Sequence, residues 1–470
     1  MVVVGGGITG LATAWYLRAA AAATRPDVTL VEASGRLGGK IRTEVLGGVP
    51  VEAGPDTFLA RVEWATDLAR AVGLGGELEA PATGTAFVCR GGRLLPFPEG
   101  TVLGVPVTAR SLLGTSLLSP AGKARAALDV VLPRHRLEGD PSVTAAIGSR
   151  LGRETLERLV EPLVGGINAG RADTLSLRSV APPLANAAQH HRSLILGLRA
   201  ERRESTAGGG ADTTGPVFLA VSGGMGRLVE RVASSLEGAE VRLGTTVSGL
   251  ATEGRRWRLV CDPGPDVIAD VVVLTLPAFA AAPLVAAMSP EASAELGRIR
   301  HASVVTSTLV YRPEALPRPL EGSGFLVPRS ESLLLTACTF STSKWPALAR
   351  SGMVLLRASA GRDGDQRALA LDDDDLVVRL HRELAGVFGV TESPVAFRVD
   401  RWENGFPQYE PGHDARVDRI EAALEAAGPV VVAGAAYRGV GIAACVQQGR
   451  AAAGRVGALL STSTVVARKT

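Results

Sequence analysis

A glycine-rich turn close to the start of the chain constrains the fold more than any other feature of the sequence. Residues 5–10 separate an apolar run, residues 1–4, from a helix-favouring segment, residues 11–17. This order predicts a strand, a tight turn and a helix. In the pattern G-x-G-x-x-G, the first glycine permits the turn, the second admits a phosphate to the backbone, and the third lets the helix pack closely. The predicted phosphate-binding residues are Gly5, Gly6, Gly7, Ile8, Thr9 and Gly10.

An acidic residue ends the next apolar run. Glu32 follows residues 28–31 and lies about 20 positions beyond the glycine turn, as in dinucleotide-binding domains. Its carboxylate can accept hydrogen bonds from both hydroxyls of a ribose, and it would repel a 2′-phosphate. The glycine turn alone can be purely structural. Together with Glu32 it predicts a dinucleotide site and disfavours NADP.

A second glycine-rich segment follows directly. Residues 35–43 contain a glycine doublet at positions 38–39 and three cations, Arg36, Lys40 and Arg42. A β-turn with solvated cations would explain them. The position directly after the acidic residue instead favours a second contact with a phosphate or with the rest of the cofactor.

The length and composition are those of a globular protein with several domains. At 470 residues the chain is longer than one hydrophobic core normally serves, so two or three domains are expected. The net charge of +3 gives no reason to expect nucleic acid as a partner. The four cysteines and six histidines form no disulfide or metal-binding pattern, so no metal is predicted. No basic segment precedes the first strand, so we expect no signal peptide and a cytoplasmic location.

One uncharged stretch, residues 271–288, is long enough for a membrane helix. Pro277 and Pro283 interrupt it, and residues 271–276 have the pattern of a buried strand that ends at a proline. We therefore favour a strand here. The membrane helix stays open as the alternative, because prolines weaken such a helix without excluding it.

Two local patterns are interpreted from their surroundings. The glycine-rich residues 165–170 are interpreted as a loop, which either ends a helix or shapes the wall of a pocket. The acidic run 372–375 precedes a helix predicted at residues 376–388. We expect this run to cap the helix and to complement its dipole rather than to bind a metal.

The order of the predicted elements divides the chain into three interleaved parts. Strand–turn–helix patterns like the first return after a long helical insertion, and again at the C-terminus. Alternating strands with hairpin-like turns predict an antiparallel sheet. The fold class is therefore α/β, or α+β overall, with a discontinuous Rossmann-like domain, an antiparallel-sheet domain and a helical lobe. The expected boundaries are 1–80, 216–282 and 425–470 for the first, 84–100 and 298–424 for the second, 105–200 for the lobe, and 201–215 for a flexible loop.

Several motifs together resemble a known superfamily. The glycine turn, residues 32–43 and residues 434–442 resemble the flavin-containing oxidases, which include the amine oxidases and the carotenoid desaturases. Within this superfamily the chain resembles the FAD-dependent porphyrinogen oxidases of haem synthesis, over nearly its whole length except residues 201–215. The narrower resemblance rests on residues 54–61 and on the motifs Glu161-Pro162-Leu163, Leu175-Ser176-Leu177 and Pro407-Gln408-Tyr409.

The resemblance implies FAD as the cofactor, held by the discontinuous domain. The implied contacts in the glycine turn, at Glu32, at Lys40 and at residues 54–57 agree with what the residues themselves predict, whereas those at Val247 and Trp402 rest on the resemblance alone. The implied FAD-binding residues are Gly5, Gly6, Gly7, Ile8, Thr9, Gly10, Glu32, Ala33, Lys40, Gly54, Pro55, Asp56, Thr57, Val247, Trp402, Val440, Gly441 and Ile442.

The resemblance also concerns the substrate-binding residues. Some members of the family carry an arginine just before the first aromatic residue of the hairpin predicted at residues 85–98, where it can pair with a substrate propionate. Here Ala86 precedes Phe87, so Arg61 is the replacement candidate, with a plain surface arginine as the other interpretation. No catalytic base is expected, because the flavin carries the redox chemistry. The predicted substrate-binding residues are Arg61, Gly166, Asn168, Phe325 and Leu326.

The activity that the resemblance implies is the oxygen-linked, six-electron oxidation of a porphyrinogen to a porphyrin, with release of hydrogen peroxide. Coproporphyrinogen III, with four propionates, is favoured because residues 54–61 and 119–127 look like the bacterial branch associated with that substrate. Protoporphyrinogen IX, with two propionates, is the alternative. A flavin amine oxidase is less favoured, since residues 299–305 lack the lysine that such enzymes usually carry near the flavin. A non-catalytic FAD-binding protein also stays open.

The partners implied by the resemblance are the porphyrinogen and molecular oxygen. An apolar macrocycle could be collected from a membrane surface by the helical lobe, so peripheral membrane contact is left open. Contact with the next enzyme of haem synthesis is left open in the same way.

Overall fold

A five-stranded parallel sheet carries the glycine turn. The structure, a computed structural model, describes residues 1–19, 26–134, 138–207 and 215–467. In the central strand Val3 lies opposite Leu30 on one side and Val273 on the other. Side chains on both faces of the central strands are buried, as is usual where helices cover a parallel sheet. In spatial order the strands are Glu240–Arg242, Thr29–Val31, Val2–Val4, Val272–Leu274 and Val430–Val432.

Helices pack around this sheet and bring the two ends of the chain together. The helix after the glycine turn, Ile8–Arg18, packs against the C-terminal helix, Ile442–Ala467. They approach closely at Gly449, where a Cβ would lie 2.8 Å from the Thr9 carbonyl oxygen. The helices of this region are Ile8–Arg18, Trp64–Ala71, Gly226–Ser234, Ala278–Val285, Pro290–Gly297, His413–Ala427 and Ile442–Ala467.

Short antiparallel strands extend the same region. One group begins beside Glu32, whose carbonyl oxygen accepts a hydrogen bond of 3.0 Å from the Thr245 N–H. The short strands are Thr43–Leu46 with Val49–Glu52, Phe58–Leu59 with Phe218–Val221 and Leu78–Glu79, and Thr246–Glu253 with Arg256–Asp262 and Val267–Ala269. A further pair, Thr101–Val102 with Val105–Pro106, packs instead in the core of the helical middle of the chain.

The second large sheet is antiparallel except at one pair of its seven strands. Strand Gly324–Leu326 runs parallel to Ala86–Arg90, the first strand of the predicted hairpin. These strands are far apart in the chain, so no tight turn forces them into an antiparallel arrangement. The predicted fold class is confirmed, with this one parallel pair as a difference. In spatial order the strands are Ala396–Pro407, His301–Tyr311, Val354–Ala360, Leu335–Phe340, Gly324–Leu326, Ala86–Arg90 and Arg93–Pro96.

A long helix, Asp373–Phe388, packs its apolar side chains against this second sheet. Asp372 caps the helix, because its carboxylate accepts a hydrogen bond of 2.8 Å from the Asp375 N–H. The capping role expected for the acidic run is thereby confirmed. The helix begins earlier than predicted, since three acidic residues form its first turn, where negative charge complements the dipole. Two shorter helices of this part are Ser341–Lys344 and Pro346–Ala349.

The middle of the chain is helical. Ser119 caps one helix by accepting a hydrogen bond of 3.0 Å from the Gly122 N–H, and Pro120 occupies the first helical position. Two π-helical segments, Thr144–Gly148 and Leu156–Val160, adjoin the helices. The helices are Ala109–Gly114, Pro120–Ala127, Ser149–Leu151, Arg153–Thr155, Glu161–Asn168, Leu177–Val180, Pro182–His190 and Leu194–Ala207.

Two predicted loops are partly helical. Residues 165–168 form the last turn of the helix Glu161–Asn168, which ends at Ala169 in a left-handed conformation. Residues 201–207 continue the helix Leu194–Ala207, because Glu and Arg are good helix formers and the glycine run starts only at position 208. The rest of that predicted loop, residues 208–214, lies outside the described residues.

The apolar stretch at residues 271–288 contains a strand and a short helix. The buried strand Val272–Leu274 pairs with both neighbours in the parallel sheet, which confirms the favoured prediction. The helix Ala278–Val285 follows and contains Pro283. Across the described part of the chain, no helix combines the length and the apolar character that crossing a bilayer requires.

Candidate functional site

A cavity of about 770 Å³ lies where the three parts of the chain meet. This volume falls within the range of about 300–1,000 Å³ that is typical of ligand and cofactor pockets. The carboxyl ends of the parallel strands contribute Gly5, Glu32 and Thr275 to its wall. Ligands of doubly wound sheets bind at this edge. The helical middle of the chain contributes Glu161, and the second sheet contributes Leu326.

The glycines of the turn differ in the space around them. Gly5 adopts a left-handed backbone with φ of +107°, and a Cβ on Gly10 would lie 1.9 Å from the Gly5 carbonyl oxygen. A Cβ on Gly7 would meet nothing within 4 Å, and Gly7 lines the cavity. The Thr275 hydroxyl donates toward the carbonyl oxygens of Val4 and Gly5, each at 2.9 Å, which ties the turn to the next strand. A phosphate can therefore approach the helix N-terminus at Gly7.

Glu32 is oriented by three hydrogen bonds. Its Oε2 accepts from the Gly6 N–H at 2.6 Å. Its Oε1 accepts from the N–H and the hydroxyl of Ser34, at 2.8 and 2.7 Å. Because Glu32 also lines the cavity, its carboxylate is held beside the glycine turn, where a ribose would lie.

The second glycine doublet packs against the first turn. The Gly38 N–H donates to the Gly6 carbonyl oxygen at 2.8 Å, and a Cβ on Gly39 would lie 3.2 Å from the Gly7 Cα. Both residues of the doublet also line the cavity. Because the doublet has no side chains, its backbone can pack closely against the glycine turn, and both segments can contact a ligand in the cavity.

The three cations of this segment have different partners. Arg36 donates to the Gly39 carbonyl oxygen at 2.6 Å, and Arg42 pairs with Asp400. Lys40 lines the cavity and has no ion-pair partner within the described part of the chain. Burial lowers the pKa of the Lys40 ammonium. Of the three, Lys40 is the one placed to contact a ligand.

Residues 54–56 form another part of the wall. A Cβ on Gly54 would lie 1.7 Å from the Lys40 carbonyl oxygen, so this position admits only glycine. Asp56 forms an ion pair of 2.7 Å with Lys344 and accepts a hydrogen bond of 3.4 Å from the Trp345 indole N–H. Burial opposes ionisation of Asp56, but the charges of Lys344 and Arg357 hold its pKa below the usual value. Asp56 thus links the cavity to Lys344 and Trp345, which precede the strand Val354–Ala360 of the second sheet.

Trp402 and the turn before the C-terminal helix complete this part of the wall. The Trp402 indole N–H donates to the Ala53 carbonyl oxygen at 3.0 Å, and the Arg42 guanidinium lies 5.5 Å from its ring centroid. Val440 and Ile442 line the cavity from the opposite end of the sequence. The predicted FAD-binding residues that line the cavity are Gly5, Gly7, Ile8, Thr9, Glu32, Lys40, Gly54, Pro55, Asp56, Trp402, Val440 and Ile442.

Other predicted FAD-binding residues lie beside the wall. Gly10 is enclosed by the packing of its helix, whereas Ala33 is exposed. Val247 packs against the core that includes the strand Arg256–Asp262. It lies two positions after Thr245, whose N–H donates to the Glu32 backbone carbonyl oxygen. The predicted residues outside the wall are Gly6, Gly10, Ala33, Thr57, Val247 and Gly441.

Only some of the predicted substrate-binding residues line the cavity. Gly166 and Leu326 line the cavity. Phe325 does not, and instead packs with Phe340 and Phe388, with ring centroids 6.0 and 5.4 Å away. Neighbouring side chains of a strand point to opposite faces, so Phe325 and Leu326 cannot both face the cavity.

Asn168 and Arg61 lie outside the wall for other reasons. Asn168 is buried at the end of its helix, where its side-chain N–H donates to the Val164 carbonyl oxygen at 2.8 Å. The backbone carbonyl oxygen of Asn168 accepts a hydrogen bond of 3.0 Å from the Gln408 side-chain amide. Arg61 is exposed just after the strand Phe58–Leu59. The structure therefore does not bring Arg61 into the cavity wall.

Several cavity residues were not predicted as site residues. His301 Nδ1 lies 2.9 Å from the Ile299 carbonyl oxygen. Burial and, to a smaller extent, the charge of Lys40 lower the pKa of His301 to about 4, although the hydrogen bond to Ile299 acts in the opposite direction. The ring is therefore neutral at neutral pH. Glu161 belongs to the motif Glu161-Pro162-Leu163, which could have indicated it, whereas no local motif marks the other residues. The unpredicted cavity residues include Glu161, Thr275, His301, Arg329, Arg357, Arg362 and Cys445.

The wall suits a flavin dinucleotide. The open space at Gly7 and the free N–H groups of the helix Ile8–Arg18 suit a pyrophosphate. The oriented carboxylate of Glu32 suits a ribose, and Lys40 is a cation for which the described residues supply no ion-pair partner. The residues present therefore fit the group that the resemblance implies.

Known proteins of similar sequence and structure point the same way. Residues 8–457 match the family of flavin containing amine oxidoreductases. The coproporphyrinogen III oxidase of Bacillus subtilis is 38% identical over 458 residues, and that of Mycobacterium leprae is 36% identical over 459 residues, with 96% of each chain covered in both cases. A crystal structure from an Exiguobacterium species, of a protein assigned as a protoporphyrinogen oxidase, matches with a TM-score of 0.85 at 34% identity, over 97% of this chain and 98% of the other. This chain therefore belongs to the flavin containing amine oxidoreductase family and is an FAD-dependent oxidoreductase.

Proposed function

We propose that this protein oxidises a porphyrinogen to a porphyrin, with molecular oxygen as the electron acceptor and coproporphyrinogen III as the preferred substrate. The observation that carries the proposal is a single cavity whose wall combines a dinucleotide-binding turn with a largely apolar part that bears arginines. Such a wall suits a large apolar macrocycle with acidic side groups. The relatives named coproporphyrinogen III oxidase support this choice of substrate.

The reaction balances as three two-electron oxidations. A porphyrinogen loses six electrons and six protons when it becomes a porphyrin, and three molecules of oxygen become three of hydrogen peroxide. Bound FAD supplies this two-electron redox chemistry. The residues of the wall hold and orient FAD and the porphyrinogen, and apolar side chains such as Pro162, Leu163 and Phe406 exclude water.

Steady-state kinetics test the proposal. Purified protein loaded with FAD is supplied with coproporphyrinogen III or protoporphyrinogen IX, and porphyrin fluorescence and hydrogen peroxide are followed. We expect a higher kcat/KM for coproporphyrinogen III and three molecules of peroxide per porphyrin. A higher kcat/KM for protoporphyrinogen IX would reverse the choice of substrate, as the name of the Exiguobacterium protein would suggest. Absence of porphyrin from both substrates would refute the proposal.

A flavin amine oxidase is the second candidate, because the cavity does contain a lysine. Residues 299–305 have none, yet Lys40 lines the same cavity as His301. A segment other than residues 299–305 thus supplies a lysine to the cavity wall. Peroxide release from primary amines or polyamines, with no porphyrin formed from porphyrinogens, would favour this candidate.

Peripheral membrane contact belongs to the same proposal. The helical middle of the chain exposes apolar side chains, with Leu113 64%, Leu128 48% and Val131 67% exposed. Such residues can insert into the interface of a bilayer that delivers an apolar macrocycle. We expect the protein to float with phospholipid vesicles, and Leu113→Ser with Val131→Ser to reduce that fraction. A protein that stays at the bottom of the gradient would contradict this.

A further inference from the structure

Three arginines line the cavity without an ion pair among the described residues, and one of them, Arg357, donates a hydrogen bond to the Gly54 carbonyl oxygen. Arg329 lies in the 3₁₀ turn Arg329–Glu331, shortly after the strand Gly324–Leu326, and Arg362 follows the strand Val354–Ala360. Arg362 is half-buried, whereas Arg329 is exposed. In the part of the chain that the structure describes, no carboxylate lies within the 4.0 Å of an ion pair from either guanidinium. Arg329 and Arg362 are called the arginine pair below.

Neighbouring arginines in the same part of the molecule are neutralised. Arg300 forms ion pairs with Asp363 at 2.8 Å and with Glu410 at 2.7 Å. Arg367 forms one with Asp365 at 2.8 Å. The arginine pair differs from Arg300 and Arg367 because it lines the cavity and has no ion pair among the described residues. It differs from Arg357, which also lines the cavity, because the Arg357 guanidinium already donates a hydrogen bond to the Gly54 carbonyl oxygen.

The charges around the arginine pair act on one another. Burial lowers the pKa of Arg362, the charges of Arg329 and Arg367 lower it further, and those of Asp365 and Glu161 raise it. The Glu161 carboxyl also lines the cavity; burial raises its pKa, whereas the arginine pair lowers it. Arg362 is partly removed from water and is repelled by the charge of Arg329, and both effects favour the entry of an anion.

We propose that Arg329 and Arg362 form a carboxylate-binding site, which takes propionate groups of the substrate and orients the macrocycle in the cavity. This inference rests on the proposed porphyrinogen oxidase function. A guanidinium binds a carboxylate through two parallel N–H···O bonds, so the contact fixes direction as well as affinity. Glu161 opposes the binding, because its anion repels a propionate that approaches the same pair.

Binding of a porphyrin to the FAD-loaded enzyme tests the site without turnover. Coproporphyrin III carries the same four carboxylates as the reduced substrate, and its fluorescence reports the Kd. Arg329→Gln and Arg362→Gln are each expected to raise this Kd by about tenfold, equivalent to about 1.4 kcal/mol. KM for coproporphyrinogen III should rise in parallel while kcat stays nearly unchanged, because the site holds side groups rather than reacting carbons.

Three controls separate charge recognition from a structural role. Arg350→Gln alters an exposed arginine of the same domain, outside the cavity wall, and should leave the Kd unchanged. Coproporphyrin III tetramethyl ester lacks the carboxylates, so the arginine variants should bind it as the wild type does. Glu161→Gln removes the opposing charge and should lower the Kd for the free acid, which loss of packing would not do.

Failure of the carboxylate site and failure of the proposed function would give different results. FAD content and melting temperature report folding, and Arg329→Lys and Arg362→Lys keep the charge if a glutamine variant does not fold. Unchanged affinity in the folded variants, or equal weakening for the acid and its ester, would overturn the carboxylate site while wild-type turnover still supports the function. A wild-type enzyme that neither binds coproporphyrin III nor oxidises coproporphyrinogen III would overturn both.

Discussion

Single atoms decide which glycines of the dinucleotide turn can be replaced. Gly10→Ala would place a Cβ 1.9 Å from the Gly5 carbonyl oxygen, whereas a Cβ on Gly7 has open space around it. We expect Gly10→Ala to destabilise the protein even without FAD, by several degrees in Tm. Gly7→Ala should leave the Tm of the FAD-free protein nearly unchanged and weaken FAD binding, because the methyl group occupies space that a phosphate needs.

Thermal melting with and without added FAD, together with flavin titration, measures both effects. An FAD-free Gly10→Ala protein with the wild-type Tm would contradict the packing role of that glycine. Wild-type affinity for FAD in Gly7→Ala would show that the pyrophosphate lies elsewhere.

A buried carboxyl next to the site makes stability depend on pH. Glu52 accepts hydrogen bonds from the Met225 N–H at 2.7 Å and from the Thr43 hydroxyl at 3.0 Å. Burial raises the pKa of Glu52 from 4.5 to about 7. The folded protein therefore holds a proton between pH 4.5 and 7 that the unfolded chain has lost, so stability falls as the pH rises through this window.

Replacing this carboxyl with an amide should remove that loss. Ionising Glu52 in the folded protein costs on the order of 3 kcal/mol. Relative to the wild type, Glu52→Gln should therefore gain stability between pH 5 and pH 8, measured as the difference in Tm at each pH. A constant difference between variant and wild type across this range would contradict the prediction.

At the scale of elements, a buried ion pair joins three segments of the helical middle. Asp129 is completely buried; one carboxylate oxygen accepts from Arg150 Nε at 2.7 Å, and the other from the Ser193 hydroxyl at 2.7 Å and the Ile195 N–H at 2.9 Å. The carboxylate thus connects a short turn, a helix and the start of the helix Leu194–Ala207. Removing it would leave a buried guanidinium and two donors without their partner.

We expect Asp129→Ala to destabilise these helices by about 3–5 kcal/mol, the range for breaking a buried ion pair on one side. Limited proteolysis should cut the helical middle of this variant faster, and the Tm should fall. Glu157→Ala is the control, since it breaks an exposed pair with Arg153 and should leave both measurements nearly unchanged. Equal effects of the two substitutions would show that the buried contact contributes nothing special.

At the scale of the whole molecule, FAD should stabilise the protein because segments from both ends and the middle of the chain meet at its cavity. At a free concentration of about 100 times Kd, a ligand that binds only the folded state adds about 2.7 kcal/mol. The Tm should therefore rise with FAD concentration, and Glu32→Arg should abolish the rise by removing the oriented carboxylate. An unchanged Tm in saturating FAD would contradict this.

The cofactor should also be released by acid. Cys445 lines the cavity, but burial raises the pKa of its thiol, so it stays protonated and unreactive. Acid precipitation is therefore expected to leave FAD in the supernatant. Yellow colour in the protein pellet would indicate a covalent bond and refute the prediction.

The parts of this molecule that the sequence determined by itself are local. The glycine turn and the caps at Ser119 and Asp372 depend on residues within a few positions of one another. The orientation of Glu32 depends on one continuous unit, formed by the first strand, the turn, the helix and the next strand. Backbone sterics, helix termini and hydrophobic periodicity act over these short distances. They were enough to predict the fold class and one end of the cavity.

Only the tertiary structure decided which side chains line the other end of the cavity. The strand pattern did not show that Leu326 faces the cavity while Phe325 enters the core, nor that Lys40 and His301 line the same cavity. The arginine pair has no motif, because its members come from segments that are distant in the sequence and line the same cavity. Such placements follow from which distant strands pair and which faces of the sheets meet, and no short stretch of sequence contains that information.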